Sequence, residues 1–150
     1  MVELNTFPMS QSMNIYFACS ITGSRELETT YQQIIGALLA DNHEIPTSHL
    51  AQSDALENES KLTPQNVYQR DVNWIKKCDV LIAEVSVPSH GVGYEIGLAL
   101  QLSKPVLCLH QKELKVSKMI TGNSDPALTI RDYSIVEEAI SQVQTFLRNL

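Results

Sequence analysis

The sequence has few cysteines and none with the spacing of a metal site. Its three cysteines, Cys19, Cys78 and Cys108, are far apart in a chain of 150 residues, and each lies within or beside an apolar run. That pattern argues against a disulfide framework and is typical of reduced core thiols in a cytoplasmic protein. The four histidines form neither an HxxxH nor an HExxH motif, so we expect no metal and no cofactor.

Positive charge and long apolar runs are also scarce. The net charge is −6, which argues against a broad surface for nucleic acid or an anionic membrane. No apolar run approaches the length of a membrane span. Residues 1–13 lack the basic and continuous apolar regions of a secretory signal, so we interpret them as a flexible N-terminal tail. Residues 14–150 then have the length and apolar content of one globular domain.

The sequence does contain a regular alternation of strand-like and helix-like segments. Short apolar runs predict five strands, at 14–18, 43–50, 80–85, 105–110 and 128–133. Apolar residues at helical spacing predict helices between and after them, at 26–41, 64–77, within 86–102 and at 136–147. This order predicts an α/β fold: a doubly wound (Rossmann/flavodoxin-like), five-stranded parallel sheet with helices on both faces. The polar segment 51–61 is interpreted as a solvated surface loop.

In a sheet of this kind a ligand binds beyond the carboxyl ends of the strands, where the strand order reverses. Two loops meet that criterion, one at Cys19–Arg25 and one after residue 85. The first carries small polar residues and leads into a helix start, which is the geometry that binds phosphate groups. It lacks the GxGxxG pattern, and an ordinary turn between strand and helix remains the alternative.

Two acidic residues are candidates for chemistry. Glu95 is the only formally charged residue between Ser86 and Leu102, and an unpaired carboxylate is costly in so apolar a stretch. The alternative is a helix-start glutamate that complements the helix dipole. Asp71 lies on the inward face of the predicted helix 64–77, where pairing with Arg70 is the alternative role. Enzymes that cleave glycosidic bonds use a pair of carboxyl groups, and burial separates the pKa values of the two.

Three segments together carry a more specific pattern: IYFACSITGSRE (15–26), VYQRDVNWIKKCDVLIAEV (67–85) and PSHGVGYEIGLALQLSKPVLCL (88–109). They resemble the nucleoside 2-deoxyribosyltransferase superfamily, and within it most closely the 2′-deoxynucleoside 5′-phosphate N-hydrolases. The resemblance runs from about residue 14 to Tyr133 and makes 14–150 one domain of that type. It implies a small deoxynucleotide substrate and a homodimer, with no nucleic acid, membrane or cofactor.

The resemblance also implies roles for particular residues. Glu95 matches the family nucleophile that attacks C1′ of the deoxyribose, and Asp71 matches the general acid. Tyr16 matches a tyrosine that orients the nucleophile, where an aromatic core residue is the alternative. The implied substrate-binding set is Ser20, Ile21, Gly23, Arg25, Ser89, Gly91, Ser117 and Met119.

Two residues in this pattern need separate mention. Ser117 matches a serine that the neighbouring subunit contributes to the phosphate site, and otherwise would be a helix cap. Thr22 stands where the family hydrolases commonly have arginine, which weakens the expectation of a strict monophosphate substrate, because charge-assisted bonds are the stronger ones.

The expected reaction is hydrolysis of the N-glycosidic bond of 2′-deoxynucleoside 5′-monophosphates, giving free base and 2-deoxyribose 5-phosphate. Base exchange by a deoxyribosyltransferase, a non-catalytic nucleotide sensor and a ribonucleotide substrate remain open alternatives.

Overall fold

The computed structural model describes residues 11–21 and 25–150, with the side chain of Arg25 outside that description. Most of the predicted tail, Thr22 and Gly23 therefore lie outside the described residues. In chain order the elements are β1 (Ile15–Ala18), a 3-10 turn (Arg25–Leu27), α1 (Glu28–Ala40), a 3-10 turn (Ser48–Ala51), α2 (Ala55–Ser60), α3 (Pro64–Lys77), β2 (Val80–Glu84), α4 (His90–Gln101), β3 (Val106–Gln111), α5 (Lys118–Thr121), β4 (Leu128–Tyr133) and α6 (Val136–Arg148).

The strands form a parallel sheet in the order β1-β2-β3-β4. In register, Phe17 lies beside Ile82, and Ile82 lies beside Leu107. Every residue of β1 and β2 is buried, as expected for strands covered by helices on both faces. The predicted parallel α/β architecture is therefore confirmed.

Alternate side chains of each strand enter two separate cores. On one face Ile15, Phe17 and Ile82 pack with residues of α1 and α6. On the other face the intervening side chains, such as Tyr16 and Leu81, pack with residues of α3 and α4. This two-residue periodicity means that Tyr16 must point towards α4 if Phe17 is to fill the opposite core.

The predicted fifth strand is wrong for the described residues, where the sheet has four strands. Residues 43–50 make only an isolated parallel bridge between Asn14 and Glu44. Pro46 has no N–H to donate to a ladder, and the chain then turns. The buried hydroxyl of Thr47 replaces the backbone groups of a neighbouring strand. It accepts a hydrogen bond from the Phe17 N–H at 3.0 Å and donates one to the Phe17 carbonyl at 2.7 Å. A side chain thus satisfies the edge of β1 that a fifth strand would have paired.

The bridge at Glu44 nevertheless lies on the opposite side of β1 from β2. The four strands follow chain order, and only the bridged segment at Glu44 lies on the other side of β1. The chain therefore changes sides of β1 between this segment and β2, and we use the term switch point for the carboxyl end of the sheet between β1 and β2.

The interpretation of 51–61 as a solvated loop is also wrong. The segment contains α2, and Ala51 and Ala55 are buried while Asp54 and Glu57 are exposed. Two small apolar residues at i and i+4 are enough to attach a short helix to the core, although they give little signal in a polar stretch. The consequence is functional, because α2 carries Glu59 towards α3.

The described part of the chain contains no helix long and apolar enough to cross a membrane. Cys19, Cys78 and Cys108 are all buried and unbridged, as the sequence predicted.

Candidate active site

A groove of about 490 Å³ lies between α3 and α4 at the switch point. Asp71 projects into it from α3, and Glu95 and Gly91 line it from α4. The remaining lining is mostly apolar and comes from Leu62, Pro64, Val67, Tyr68, Val72, Ile75, Tyr94 and Leu98, with Glu59 at one end. The two acids that the sequence singled out therefore share one cavity.

A tyrosine of the sheet holds the Glu95 carboxylate in place. The hydroxyl of Tyr16 donates a hydrogen bond to Glu95 Oε1 at 2.7 Å. Tyr16 is 1% exposed and packed between the sheet and helices α3 and α4, so its ring has no freedom to move away. A hydrogen bond from such a rigid donor orients the carboxylate and leaves its second oxygen for another partner.

Burial sets the protonation of these groups. It raises the pKa of Glu95 to about 7, and the charge of Asp71 adds to that shift, while the Tyr16 hydrogen bond and Arg70 oppose it. Burial likewise raises the pKa of Asp71, against the hydrogen bond from Arg70. It also raises the pKa of Tyr16, so this hydroxyl stays a donor. Near neutral pH the groove can therefore hold one ionised and one protonated carboxyl group.

Asp71 is both a groove residue and half of an ion pair. Arg70 Nε donates to Asp71 Oδ1 at 2.8 Å, so the alternative role considered from the sequence is also realised. The same guanidinium donates to both carboxylate oxygens of Glu59, at 2.7 and 3.0 Å. Asp71 is thus fixed from outside the groove.

The glycines before Glu95 belong to the helix and not to a loop. Helix α4 begins at His90, and Ser89 caps it by accepting a hydrogen bond from the Val92 N–H at 3.3 Å. A Cβ at Gly91 would meet nothing nearer than the Ser89 hydroxyl, 3.9 Å away. Glycine costs a helix roughly 1 kcal/mol relative to alanine. Space for a ligand beside Glu95 is a physical reason to tolerate that cost.

The other predicted binding residues lie in different places. Ser20 is buried and Ile21 is half-buried, directly after β1. Gly23 and the Arg25 side chain lie outside the described residues. Ser89, Ser117 and Met119 line a second cavity, of about 580 Å³, on another side of α4. One chain therefore does not bring Ser117 and Met119 into the groove that contains Glu95.

Ser117 acts as a cap within its own chain. Its Oγ accepts a hydrogen bond from the Met119 N–H at 3.2 Å at the start of α5. Ser117 is exposed, and the Met119 side chain is 85% exposed. Both roles considered for Ser117 remain compatible with this position, because an exposed cap can also reach another molecule.

Glu59 and His49 are site neighbours that sequence reasoning missed. His49 Nε2 lies 3.7 Å from Glu59 Oε1, and the His49 ring packs edge-on against Trp74. Glu59 comes from the polar segment 51–61, for which the sequence predicts a loop, and His49 comes from the predicted strand 43–50, where the structure has a 3-10 turn. Recognising α2 from the buried residues Ala51 and Ala55 would have found Glu59.

The described residues contain no cluster of three or more His, Cys, Asp or Glu able to hold a metal ion. A parallel α/β sheet with an acid pair at its switch point defines the class as a small α/β protein equipped for acid–base or nucleophilic chemistry. The family model described as nucleoside 2-deoxyribosyltransferase matches residues 15–139. The chain belongs to this family, and the resemblance found in the sequence is confirmed.

Individual relatives narrow the comparison. A Methanosarcina mazei protein with the provisional name 2′-deoxynucleoside 5′-phosphate N-hydrolase 1 is 42% identical over 137 residues, covering 91% of this chain and 85% of its own. The 5-hydroxymethyl-dUMP N-hydrolase of Rattus norvegicus is 36% identical over 138 residues, covering 89% and 82%. The Clostridium botulinum CMP N-glycosidase BcmB is 19% identical with a TM-score of 0.69, covering 88% of this chain and 98% of its own, and is similar in fold.

The raised pKa of Glu95 predicts a pH-dependent cost in stability. The pKa rises from an ordinary 4.5 to about 7, so the folded state binds more protons and stability falls as pH rises through this window. Glu95→Gln removes the charge and keeps an acceptor for Tyr16. We expect it to raise the free energy of unfolding by roughly 1–3 kcal/mol at pH 8 and to have little effect near pH 4.5.

Urea unfolding of both proteins at pH 4.5 and pH 8 measures this difference. Glu57→Gln, which removes a carboxylate that is exposed on α2, is the matched control and should show no such gain. An equal effect of Glu95→Gln at both pH values would contradict the conclusion that burial raises the pKa of Glu95.

Proposed function

We propose that this chain hydrolyses the N-glycosidic bond of 2′-deoxynucleoside 5′-monophosphates, releasing a free nucleobase and 2-deoxyribose 5-phosphate. The observation that carries the proposal is the Glu95 carboxylate, oriented by Tyr16 at 2.7 Å in a groove that Asp71 also lines. The names of the archaeal and rat relatives support nucleoside monophosphates as the substrate class.

In the first step the Glu95 carboxylate attacks C1′ of the sugar. The bond from C1′ to the base nitrogen breaks, and its electron pair leaves with the base. Asp71 transfers its proton to the departing base, which avoids release of a free anion. The product is a glycosyl ester on Glu95, with Asp71 now ionised.

In the second step water attacks C1′ and displaces Glu95. The Asp71 carboxylate accepts a proton from that water, and the electron pair of the ester bond returns to Glu95. Two inversions at C1′ retain the configuration of the sugar. The cycle restores the starting protonation of both acids and needs no cofactor.

Each role meets one favourable and one opposing contribution. Glu95 must be ionised to attack; burial raises its pKa to about 7, and the Tyr16 hydrogen bond opposes that rise, so the ionised form is present near neutral pH. Asp71 must carry a proton; burial raises its pKa, and the hydrogen bond from Arg70 opposes that rise. A pure nucleotide sensor has no need for a carboxylate that is costly to bury, which argues against the non-catalytic alternative.

Recognition of the 5′-phosphate belongs to this proposal as well. Ser20 and Ile21, at the end of β1, and Ser89, at the start of the 12-residue helix α4, lie at the switch point. Hydroxyl groups and helix N–H groups there would bind the phosphate, and the family resemblance adds Gly23 and Arg25 to this set. Gly91 would lie against the sugar.

We further propose a homodimer in which Ser117 and Met119 complete the neighbouring site. Both residues are exposed and lie apart from the groove of their own chain. Base exchange instead of hydrolysis remains the competing reaction within the family.

Base release from a substrate panel tests the reaction. We expect the protein to release base from deoxynucleoside monophosphates in water, faster than from the matching nucleosides or ribonucleotides. Glu95→Ala should reduce turnover by at least about 10⁴-fold while nucleotide binding stays measurable. Chromatographic detection of free base, with nucleotide affinity by calorimetry, gives both readouts.

Two results would contradict this account. Turnover retained by Glu95→Ala would remove Glu95 as the nucleophile. Exchange with an added second base that outpaces release into water would identify a transferase, and nucleotide binding without release would identify a sensor.

The Ser117→Ala variant tests the shared phosphate site. We expect kcat/KM for monophosphates to fall about tenfold or more, because a bond to a charged group is lost, and kcat/KM for nucleosides to change little. Ser124→Ala, an exposed serine in the following loop, is the control. An identical loss on both substrate types, or a fully active monomer in sedimentation, would exclude the shared site.

A further inference from the structure

Arg70 joins two carboxylates that come from different helices. Its guanidinium donates to both oxygens of Glu59 on α2 and, through Nε, to Asp71 on its own helix α3. The three side chains are only 11%, 20% and 16% exposed for Glu59, Arg70 and Asp71 respectively. A bidentate pair with so little solvent is far more rigid than an ordinary surface ion pair.

A fourth contact prevents the guanidinium from swinging away. Arg70 Cζ lies 4.9 Å from the centroid of the Trp74 ring, over its face. Trp74 is one turn further along α3, and its ring also makes an edge contact with the His49 ring, with the centroids 5.7 Å apart. The planar group therefore has one orientation, set by Glu59 on one edge and Trp74 on one face.

We propose that Glu59 is a positioning residue which, through Arg70, fixes the Asp71 carboxyl in the wall of the groove. Its catalytic consequence rests on the proposed function, in which Asp71 donates a proton to the leaving base. Glu59 does not itself touch the reacting atoms in this account. It acts through the arginine that lies between the two acids.

Glu59 also compensates the positive charge of Arg70, which would otherwise favour the ionised form of Asp71. The hydrogen bonds to Glu59 are the largest cause raising the pKa of Arg70, which shows where the positive charge is compensated. The groups that face Asp71 from all packed elements are Arg70 from α3, Glu59 from α2, His49 from the 3-10 turn, Glu95 from α4 and Tyr16 from β1.

Loss of the Glu59 charge would leave Arg70 with Asp71 as its only carboxylate partner among the described residues. Asp71 would then favour its ionised form, because an opposite charge within hydrogen-bonding distance lowers a carboxyl pKa. An ionised Asp71 cannot serve as the general acid. The role of Glu59 is thus to let Arg70 orient Asp71 without removing its proton.

The pH dependence of kcat for base release tests this role. In Glu59→Gln we expect the basic limb of the profile to move down by about one pH unit, with kcat at pH 8 lowered about tenfold and KM within about threefold. Glu57→Gln removes the same charge from the exposed side of the same helix and should leave the profile unchanged. The double variant Glu59→Gln/Arg70→Gln removes both charges and should return the basic limb upward.

Carbon-13 NMR of the Asp71 carboxyl gives a readout that needs no turnover. Asp71→Asn assigns the signal, and its titration midpoint should be about one unit lower in Glu59→Gln than in the native chain. An unchanged midpoint would overturn the proposal, whether or not the native chain releases base. So would a slower Glu59→Gln with an unmoved basic limb and a lowered unfolding midpoint, because that combination is a structural effect alone.

If the native chain releases no base from any nucleotide, the proposed function fails. The NMR midpoint then still decides whether Glu59 controls Asp71 through Arg70.

Discussion

The site depends on one hydrogen bond, from the Tyr16 hydroxyl to Glu95 across the seam between sheet and helix. It links the first strand of the core to the only acid of α4, at 2.7 Å. Because β1 is buried on both faces, Tyr16 cannot move without disturbing the core behind it. The carboxylate is therefore held in place by the packing of the whole sheet.

This arrangement explains why several local features take the form they do. The edge of β1 is completed by the hydroxyl of Thr47 and not by another strand, so β1 keeps a fixed position without a full neighbour on that side. The glycine at 91 leaves open space next to the carboxylate. Both features depart from regular secondary structure. The Thr47 contact keeps β1 rigid, and Gly91 leaves space for a ligand.

Much of this could be predicted from residue patterns. The helix Pro64–Lys77 was predicted to the residue, because Thr63 caps it and proline begins it. The inward position of Asp71 followed from the same helix, and the isolation of Glu95 in an apolar stretch marked it as unusual. The pairing of Tyr16 with Glu95, which the family resemblance implied, is a direct contact in the structure.

The parts that could not be predicted are those decided by contacts between distant segments. A single hydroxyl, on Thr47, replaced a predicted strand, and no periodicity records that substitution. Glu59 was hidden because two buried alanines anchor α2 within a stretch that is otherwise solvated. Ser117 lines a cavity separate from the groove that contains Glu95, and this separation depends on the tertiary fold and not on a local pattern.

The central claim is that Glu95 forms a covalent bond to the sugar, and trapping that bond tests it most directly. A 2-deoxy-2-fluoroarabinosyl nucleoside 5′-monophosphate slows both steps, because fluorine disfavours positive charge at C1′. An activated base as the leaving group restores the rate of the first step, so the ester accumulates. The account predicts a protein mass increased by one fluorodeoxyribosyl phosphate, located to the peptide containing Glu95 and absent from Glu95→Gln. Base release without that adduct, or an adduct on another residue, would contradict it.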